Sequence, residues 1–354
     1  MSIFETAQPE APESTAPLGQ DEGDVAVEAA PGKMSKKRKR VIAALLTLLL
    51  ILVALFLWYL LNRKPLSELP GIGAGKVPHY QFSIYGPARP MGVVASASGD
   101  RIYVTEAGGK QLVRVYDRAG KPAGILQPPA STGTAHTPVY VAINPKTQDV
   151  YVSDRLTSKV YIYDSKGAYL RTFAPKGNLG GGWAPLGLAF GSDGGLYATD
   201  VSGKDHRVLV FKPDGTLARS MGAPGQLSFP NGIAVDAQGN IEVSDSNNGR
   251  LVVFGQYGRM LATISRGVGE GNLGLPRGVA VDDAGRLYVV DTADHMVRLY
   301  TLDKSRAMPR YVGSFGGEGK LDGKFEYPNG VATDTRAHIY VTDRENNRVQ
   351  VWGY

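Results

Sequence analysis

From residue 79 to the C-terminus, hydrophobic and polar positions alternate with a period of two in short runs. Leu287-Tyr288-Val289-Val290-Asp291 and Val297-Arg298-Leu299-Tyr300 are two of them. The runs are rich in β-branched and aromatic residues, and clusters of Gly, Asp and Asn separate them, so they predict strands joined by hairpins. One segment breaks the pattern. Residues 41–61 are apolar without alternation and carry no charge over 21 positions, which predicts a single helix about 32 Å long.

The strand pattern itself repeats. Pro230-Asn231-Gly232-Ile233-Ala234-Val235-Asp236 leads to Ile241-Glu242-Val243-Ser244-Asp245 and then to Arg250-Leu251-Val252-Val253-Phe254. In the same way Pro328-Asn329-Gly330-Val331-Ala332-Thr333-Asp334 leads to Ile339-Tyr340-Val341-Thr342-Asp343 and Arg348-Val349-Gln350-Val351-Trp352. Copies open at Pro90, Pro138, Pro185, Pro230, Pro276 and Pro328, 45 to 52 residues apart. Each copy holds four strands: one after the proline, a second ending in Asp or Glu, a third of the Arg-Val-x-Val-Phe type, and a fourth before the next Gly-rich loop. A four-stranded unit copied at this period is a propeller blade. The sixth copy stops at Tyr354 after its third strand, and His79-Tyr80-Gln81-Phe82-Ser83-Ile84-Tyr85-Gly86 resembles the fourth-strand run at residues 310–316. The N-terminal strand is therefore expected to complete the last blade and close the ring, leaving no open edge. The expected fold is an all-β six-bladed propeller over residues 79–354, preceded by one transmembrane helix.

The Pro-x-Gly-Val/Ile-Ala-Val-Asp, Gly-x-Ile/Leu-Tyr-Val-x-Asp and Asn-Asn-Arg-Val-x-Val-Phe pattern resembles the NHL repeat, across all six copies and most tightly in the last three. Two departures stand out. Glu106 ends the second strand of copy one where the others carry Asp154, Asp200, Asp245, Asp291 and Asp343, and Tyr140 sits where the glycine recurs. The resemblance implies the fold; a fold of this kind hosts binding modules and enzymes alike.

The apolar run is long enough for a hydrocarbon core of about 30 Å. Lys33, Lys36, Lys37, Arg38, Lys39 and Arg40 precede it, and only Arg63 and Lys64 follow. The positive-inside rule then keeps the N-terminus in the cytoplasm and delivers the propeller outside. The run ends in Trp58-Tyr59-Leu60-Leu61 with no small-x-small cleavage site, so residues 41–61 are read as an uncleaved signal anchor and not a signal peptide. Residues 1–40 read as a disordered cytoplasmic tail, acidic and then basic. Residues 62–78, with three prolines and three glycines, read as a linker. The chain has no cysteine, so an exported domain must rely on its core and ring closure, which suits a bacterial cell surface.

Charge narrows the partners only slightly. The chain holds 39 basic and 33 acidic residues, and the excess in the repeat region is spread over all blades. A nucleic-acid binder would carry a dense basic face with interleaved aromatics, so nucleic acid is not expected. A protein, a peptide or a cell-surface glycan is.

Loops that run from a fourth strand to the next first strand, and from a second to a third, share one face of a propeller, here called the top. Such loops on a rigid scaffold are the usual place for a ligand. They include Trp183, His206, Asn247, His295 and Asn346. The residue after each opening proline is expected at the central funnel: Met91, Val139, Leu186, Asn231, Arg277 and Asn329. Polar residues on the later blades against apolar ones on the earlier blades make an asymmetric pocket. The candidate ligand-binding set is thus Trp183, Asn231, Arg277, Asn329, His206, His295, Asn247 and Asn346. Each has a structural competitor; Trp183, for one, could cap a neighbouring loop. The strand-ending acids and the basic residues opening third strands (Arg207, Arg250, Arg298, Arg348) recur in most blades and are read as structural, as turn carboxylates and inter-strand ion pairs.

The competing class is a metal-dependent propeller hydrolase or lyase. Amidating lyases with NHL-like repeats place zinc-binding histidines around the funnel, and none of the six funnel positions is His. Lactonase-like propellers use an acidic residue, an Asn and an Asp around a divalent cation; Asn231 and Asn329 are present, without a funnel-facing Glu. No metal or cofactor is expected. The expected function is that of a membrane-anchored binding or scaffold propeller.

Overall fold

A computed structural model describes residues 35–62, 77–129, 135–265, 270–303 and 306–354. Residues 1–34 of the tail expected over 1–40, and residues 63–76 of the linker expected over 62–78, lie outside the described residues. The helix runs Lys36–Asn62, and its Lys36–Leu57 portion is long and apolar enough to cross a membrane. It starts earlier than the apolar run. The basic cluster at residues 36–40, expected in the tail, forms its first turns, because Lys and Arg are good helix formers and no breaker separates them from the apolar run. The single hydroxyl in the middle of the helix is satisfied within it: Thr47 Oγ1 donates to the Ala43 carbonyl at 2.9 Å.

The repeat region forms six four-stranded antiparallel sheets. Inner strands are Pro90–Ala95, Pro138–Ile143, Pro185–Phe190, Pro230–Val235, Pro276–Val281 and Pro328–Thr333. In blades one to five the strands follow in chain order from inner to outer. In blade six the outer strand is the N-terminal His79–Tyr85, paired antiparallel with Arg348–Gly353 so that Tyr80 faces Trp352 and Ile84 faces Val349. The expected closure is present. The apolar cores lie between blades and not within them: one joins Ile84, Tyr340 and Val349 of blade six to Val93 and Ile102 of blade one, and the next joins Val113 and Leu126 of blade one to Val150 and Tyr161 of blade two. A blade alone cannot bury its faces, so the ring stabilises as a whole.

Two positions carry this arrangement into the central site. The third residue of five inner strands is glycine because neighbouring inner strands nearly touch: a Cβ on Gly92 would lie 2.6 Å from the Val139 carbonyl oxygen, and one on Gly330 2.6 Å from that of Met91. In blades one, two, three and six the Ser or Thr preceding the strand-ending acid bridges the same gap. Thr105 Oγ1 accepts from Gly92 N at 2.8 Å and donates to Val139 O at 2.9 Å, and Thr342 does the same between Gly330 N and Met91 O.

One blade carries an internal fault. Tyr103, Tyr151, Tyr197, Tyr288 and Tyr340 occupy equivalent positions in five second strands, and the hydroxyls of Tyr288 and Tyr340 donate to Asp282 and Asp334 at 3.1 and 2.9 Å. In blade four the position holds Glu242, fully buried, with neither carboxyl oxygen hydrogen-bonded. Burial pushes its carboxyl well above the usual range, and the Asp236 charge adds to the shift. The folded state therefore holds the proton more tightly than the unfolded chain, where Glu titrates near about 4.3. Stability is full below that value and falls as pH rises towards the folded-state pKa. The wild-type melting temperature should drop more steeply as pH rises above about 5 than that of Glu242→Gln, and Glu242→Leu should gain about 1–3 kcal/mol under those conditions. Parallel pH profiles for wild type and Glu242→Gln would refute the assignment.

Candidate functional site

The top face is built on six buried acids. Each ends a second strand and accepts backbone N–H groups from the loop that enters its blade: Ala88 N to Glu106, Ala184 N to Asp200, Ser228 N to Asp245, Gly274 N to Asp291 and Glu326 N to Asp343, at 2.6 to 3.0 Å, and Thr137 N to Asp154 at 3.2 Å. The third-strand arginine pairs with the acid and reaches on to the loop carbonyls. Arg207 binds Asp200 at 3.0 Å and the carbonyls of Leu179 and Gly182. Arg250 binds Asp245 at 2.7 Å and the Gln226 carbonyl. Arg348 binds Asp343 at 2.7 Å and the carbonyls of Leu321 and Lys324. In blade two, where Lys159 opens the third strand, His136 Nδ1 takes the arginine's place on Asp154 at 2.8 Å. The structural reading of these acids and arginines is what the geometry displays: they pin the loops that form the face.

The pinned loops present a strained rim. Arg89, Phe229 and Tyr327, each immediately before an opening proline, have φ of 49°, 52° and 52°, a left-handed conformation costly for a residue with a side chain. A side chain of the preceding blade holds each one. Asn347 Oδ1 accepts from Arg89 N at 2.8 Å, His206 Nδ1 from Phe229 N at 2.8 Å, and His295 Nδ1 from Tyr327 N at 3.2 Å. Over the two aromatic rings lie the guanidinium groups of Arg155 and Arg344, 5.8 and 5.9 Å from the ring centres.

Inside the rim, the throat brings together residues from three blades. Tyr140 of blade two stands where glycine stands in the others, and its electrostatic coupling to Arg277 of blade five crosses the ring axis, since those blades are opposite one another. Burial pushes the Tyr140 hydroxyl up to about 12, against the pull of the Arg277 charge and of the neighbouring Asn329 amide. Burial holds Arg277 below the usual guanidinium value; Tyr140 opposes this, while Arg344 and Arg155 add repulsion. Asn329 is fully buried and donates through Nδ2 to the Met91 carbonyl at 3.0 Å. Its Oδ1, the Tyr140 hydroxyl and the Arg277 Nε are all buried without a hydrogen-bond partner. Such orphaned groups are rare in folded proteins, and here the Tyr140 hydroxyl neighbours both of the other side chains. Among the described residues, no three His, Cys, Asp or Glu side chains gather as a metal site would require.

With this geometry in view, known proteins can be compared. The NHL repeat family matches residues 227–254, 273–298 and 325–352, which lie in blades four, five and six. The chain is a six-bladed β-propeller with NHL repeats in blades four to six. Over 39 residues, 11% of its length, the NHL propeller is 56% identical to the E3 ubiquitin-protein ligase TRIM71 of Xenopus tropicalis, and the match spans only 5% of that protein. Virginiamycin B lyase from Staphylococcus aureus superposes with a TM-score of 0.54 at 13% identity, covering 78% of this chain and 99% of the lyase. A chain of the nidogen/laminin complex superposes with a TM-score of 0.54 at 17% identity, covering 69% and 84%. At such identities the structural likeness is one of fold alone.

The NHL propeller distributes its sequence-predicted site residues unevenly. Arg277 and Asn329 meet in the throat. Asn231 is buried at the corresponding position in blade four, its Nδ2 already donating to Ser246 Oγ at 2.8 Å and to the Phe229 carbonyl. His206 and His295 sit under the rim as acceptors for Phe229 and Tyr327. Asn346 donates to both oxygens of Asp343 and to the Gly319 carbonyl, as part of the loop clamp. Asn247 is exposed on the face. Trp183 stands apart from the throat, packed edge-on to Phe211 at 5.5 Å and against Phe173 at 6.3 Å, where it caps the core between blades two and three. Tyr140, Arg155 and the rim residues Phe229 and Tyr327 were missing from the expected set. For Tyr140 the signal was visible as a bulky residue at the glycine position; for Arg155 and the rim none was, because their roles depend on a contact between different blades.

Proposed function

We propose that this NHL propeller is a membrane-anchored, extracytoplasmic binding or scaffold module that engages a protein, peptide or cell-wall partner through its top face. The observation that carries this reading is the throat: a ring held rigid by six acid clamps leaves three buried polar groups unpaired at the centre of one face, and a ligand is the natural partner for them. Around it the face offers Tyr327 and Leu156, both exposed, as amphipathic and apolar contacts of the kind that dominate interfaces. The helix Lys36–Asn62 supports the anchor, and the basic residues at its start support an N-terminus inside and a propeller outside.

The test is cross-linking of the full chain in its native membrane, comparing wild type with a rim variant carrying Leu156→Ala, Asn247→Ala and Tyr327→Ala. One dominant partner should be captured by wild type and reduced about tenfold or more by the rim variant. Equal capture by both, or turnover of a small molecule with no captured partner, would overturn the binding-module reading. A protease added outside intact cells should reach the propeller; protection there would overturn the topology.

A further inference from the structure

The throat and its rim have an uneven charge balance. Four guanidinium groups, those of Arg89, Arg155, Arg277 and Arg344, meet one carboxylate. That carboxylate, Glu345, is shared by Arg89 and Arg344, each at 2.9 Å. Among the described residues, neither Arg155 nor Arg277 has an ion pair, and Arg277 is half-buried, with its Nε shielded from water. A shielded cation without a counter-charge is costly. The costs are borne at one place, beside a tyrosine hydroxyl and an amide oxygen that are equally unpaired. The third-strand arginines of the top face, Arg114, Arg207, Arg250, Arg298 and Arg348, each have a carboxylate within 4 Å. Arg277, on an inner strand of the same face, has none, and what it lacks is an anion.

Resting on the reading of the top face as a binding surface, we propose that Arg277, Arg155 and Arg344 hold one anionic group, a carboxylate or a phosphate at the end of a ligand, with the Tyr140 hydroxyl and the Asn329 amide fixing its orientation. Planar guanidinium forks match both oxyanions. Tyr140 can donate to the anion, and Asn329 Oδ1 supplies an acceptor for a donor group beside it, as in a hydroxyl- or amide-bearing ligand. The even spread of charge over the rest of the repeat region favours a single terminal group over a charged polymer.

The experiment is a thermal melt of the full chain in detergent micelles with sodium phosphate or sodium acetate added against sodium chloride at constant ionic strength. A ligand of the folded state raises the melting temperature in a saturable manner. Wild type should show such a rise with at least one of the two anions, and which one identifies the source of the group. Arg277→Gln should weaken the apparent affinity about tenfold or more, Arg277→Lys should retain part of it, and the exposed Arg155→Gln provides the same test should the Arg277 variants not fold. No rise beyond chloride with either anion, or an equal rise in Arg277→Gln and Arg155→Gln, overturns the proposal. Partner capture lost in the rim variant but kept in Arg277→Gln would leave the top-face reading standing without it.

Discussion

A chain lacking residues 77–86 is expected not to reach the native fold. The strand His79–Tyr85 supplies the outer edge of blade six, buries Tyr80 and Ile84 to 4% and 1% exposure, and pairs with Arg348–Gly353 over six residues of register. Each buried side chain of this size contributes about 1.5–3 kcal/mol, and the lost pairing bares the outer edge of Arg348–Gly353, whose other edge pairs with Ile339–Asp343. Against a total stability of about 5–15 kcal/mol, that loss removes most of the margin. Because the cores lie between blades, the damage spreads to blades five and one through the clusters that contain Tyr80 and Ile84. The near-ultraviolet dichroism of the deletion should be that of an unfolded chain, and supplying residues 77–86 as a separate peptide should restore part of it. A deletion that melts cooperatively near the wild-type temperature would show that closure is dispensable. Ile84→Asp is the milder version and should lower stability without abolishing pairing.

Arg348→Ala should be the most damaging single substitution among the top-face clamps. Its side chain is 4% exposed and holds Asp343, Asp322 and two loop carbonyls at 2.7 to 3.0 Å. Removing it strands a buried carboxylate, which costs about 3–5 kcal/mol. Arg298 of blade five is the contrasting case. It lies 3.8 Å from the buried Asp291 and directs its other end to the exposed Asp294, so Arg298→Ala should cost no more than about 2 kcal/mol. Chemical denaturation of both variants with unchanged m-values would check the ranking. Equal losses would mean that the clamps do not derive their strength from the desolvated pair.

The clamps were legible before any coordinates. Acids at 106, 154, 200, 245, 291 and 343 recur with the blade, and a feature copied six times in one chain serves what the six copies share. Ring closure was legible for a related reason: the run from His79 resembles the fourth-strand run at residues 310–316, yet it precedes the first copy and has no inner strands of its own. Asn231 and Asn329 show where such reasoning ends. Both lie in the same Pro-Asn-Gly context, yet Asn231 spends its amide on Ser246, while Asn329 donates to the Met91 carbonyl and keeps its oxygen unpaired.

Everything that depends on periodicity can be read from the order of residues: strands from the alternation, blades from the repeat, the six-fold count, the closing strand, and one apolar helix of membrane length. These follow from local backbone geometry and from burial on one face, which the order of residues encodes directly. Which departures from the repeat matter depends on the assembled ring. Tyr140, Arg277 and Asn329 lie far apart in the chain, on blades two, five and six, and each looks like an isolated irregularity there. Closing the ring brings them to one axis and excludes water from their polar atoms, and an unpaired charge acquires its cost, and so its meaning, only where water has been removed.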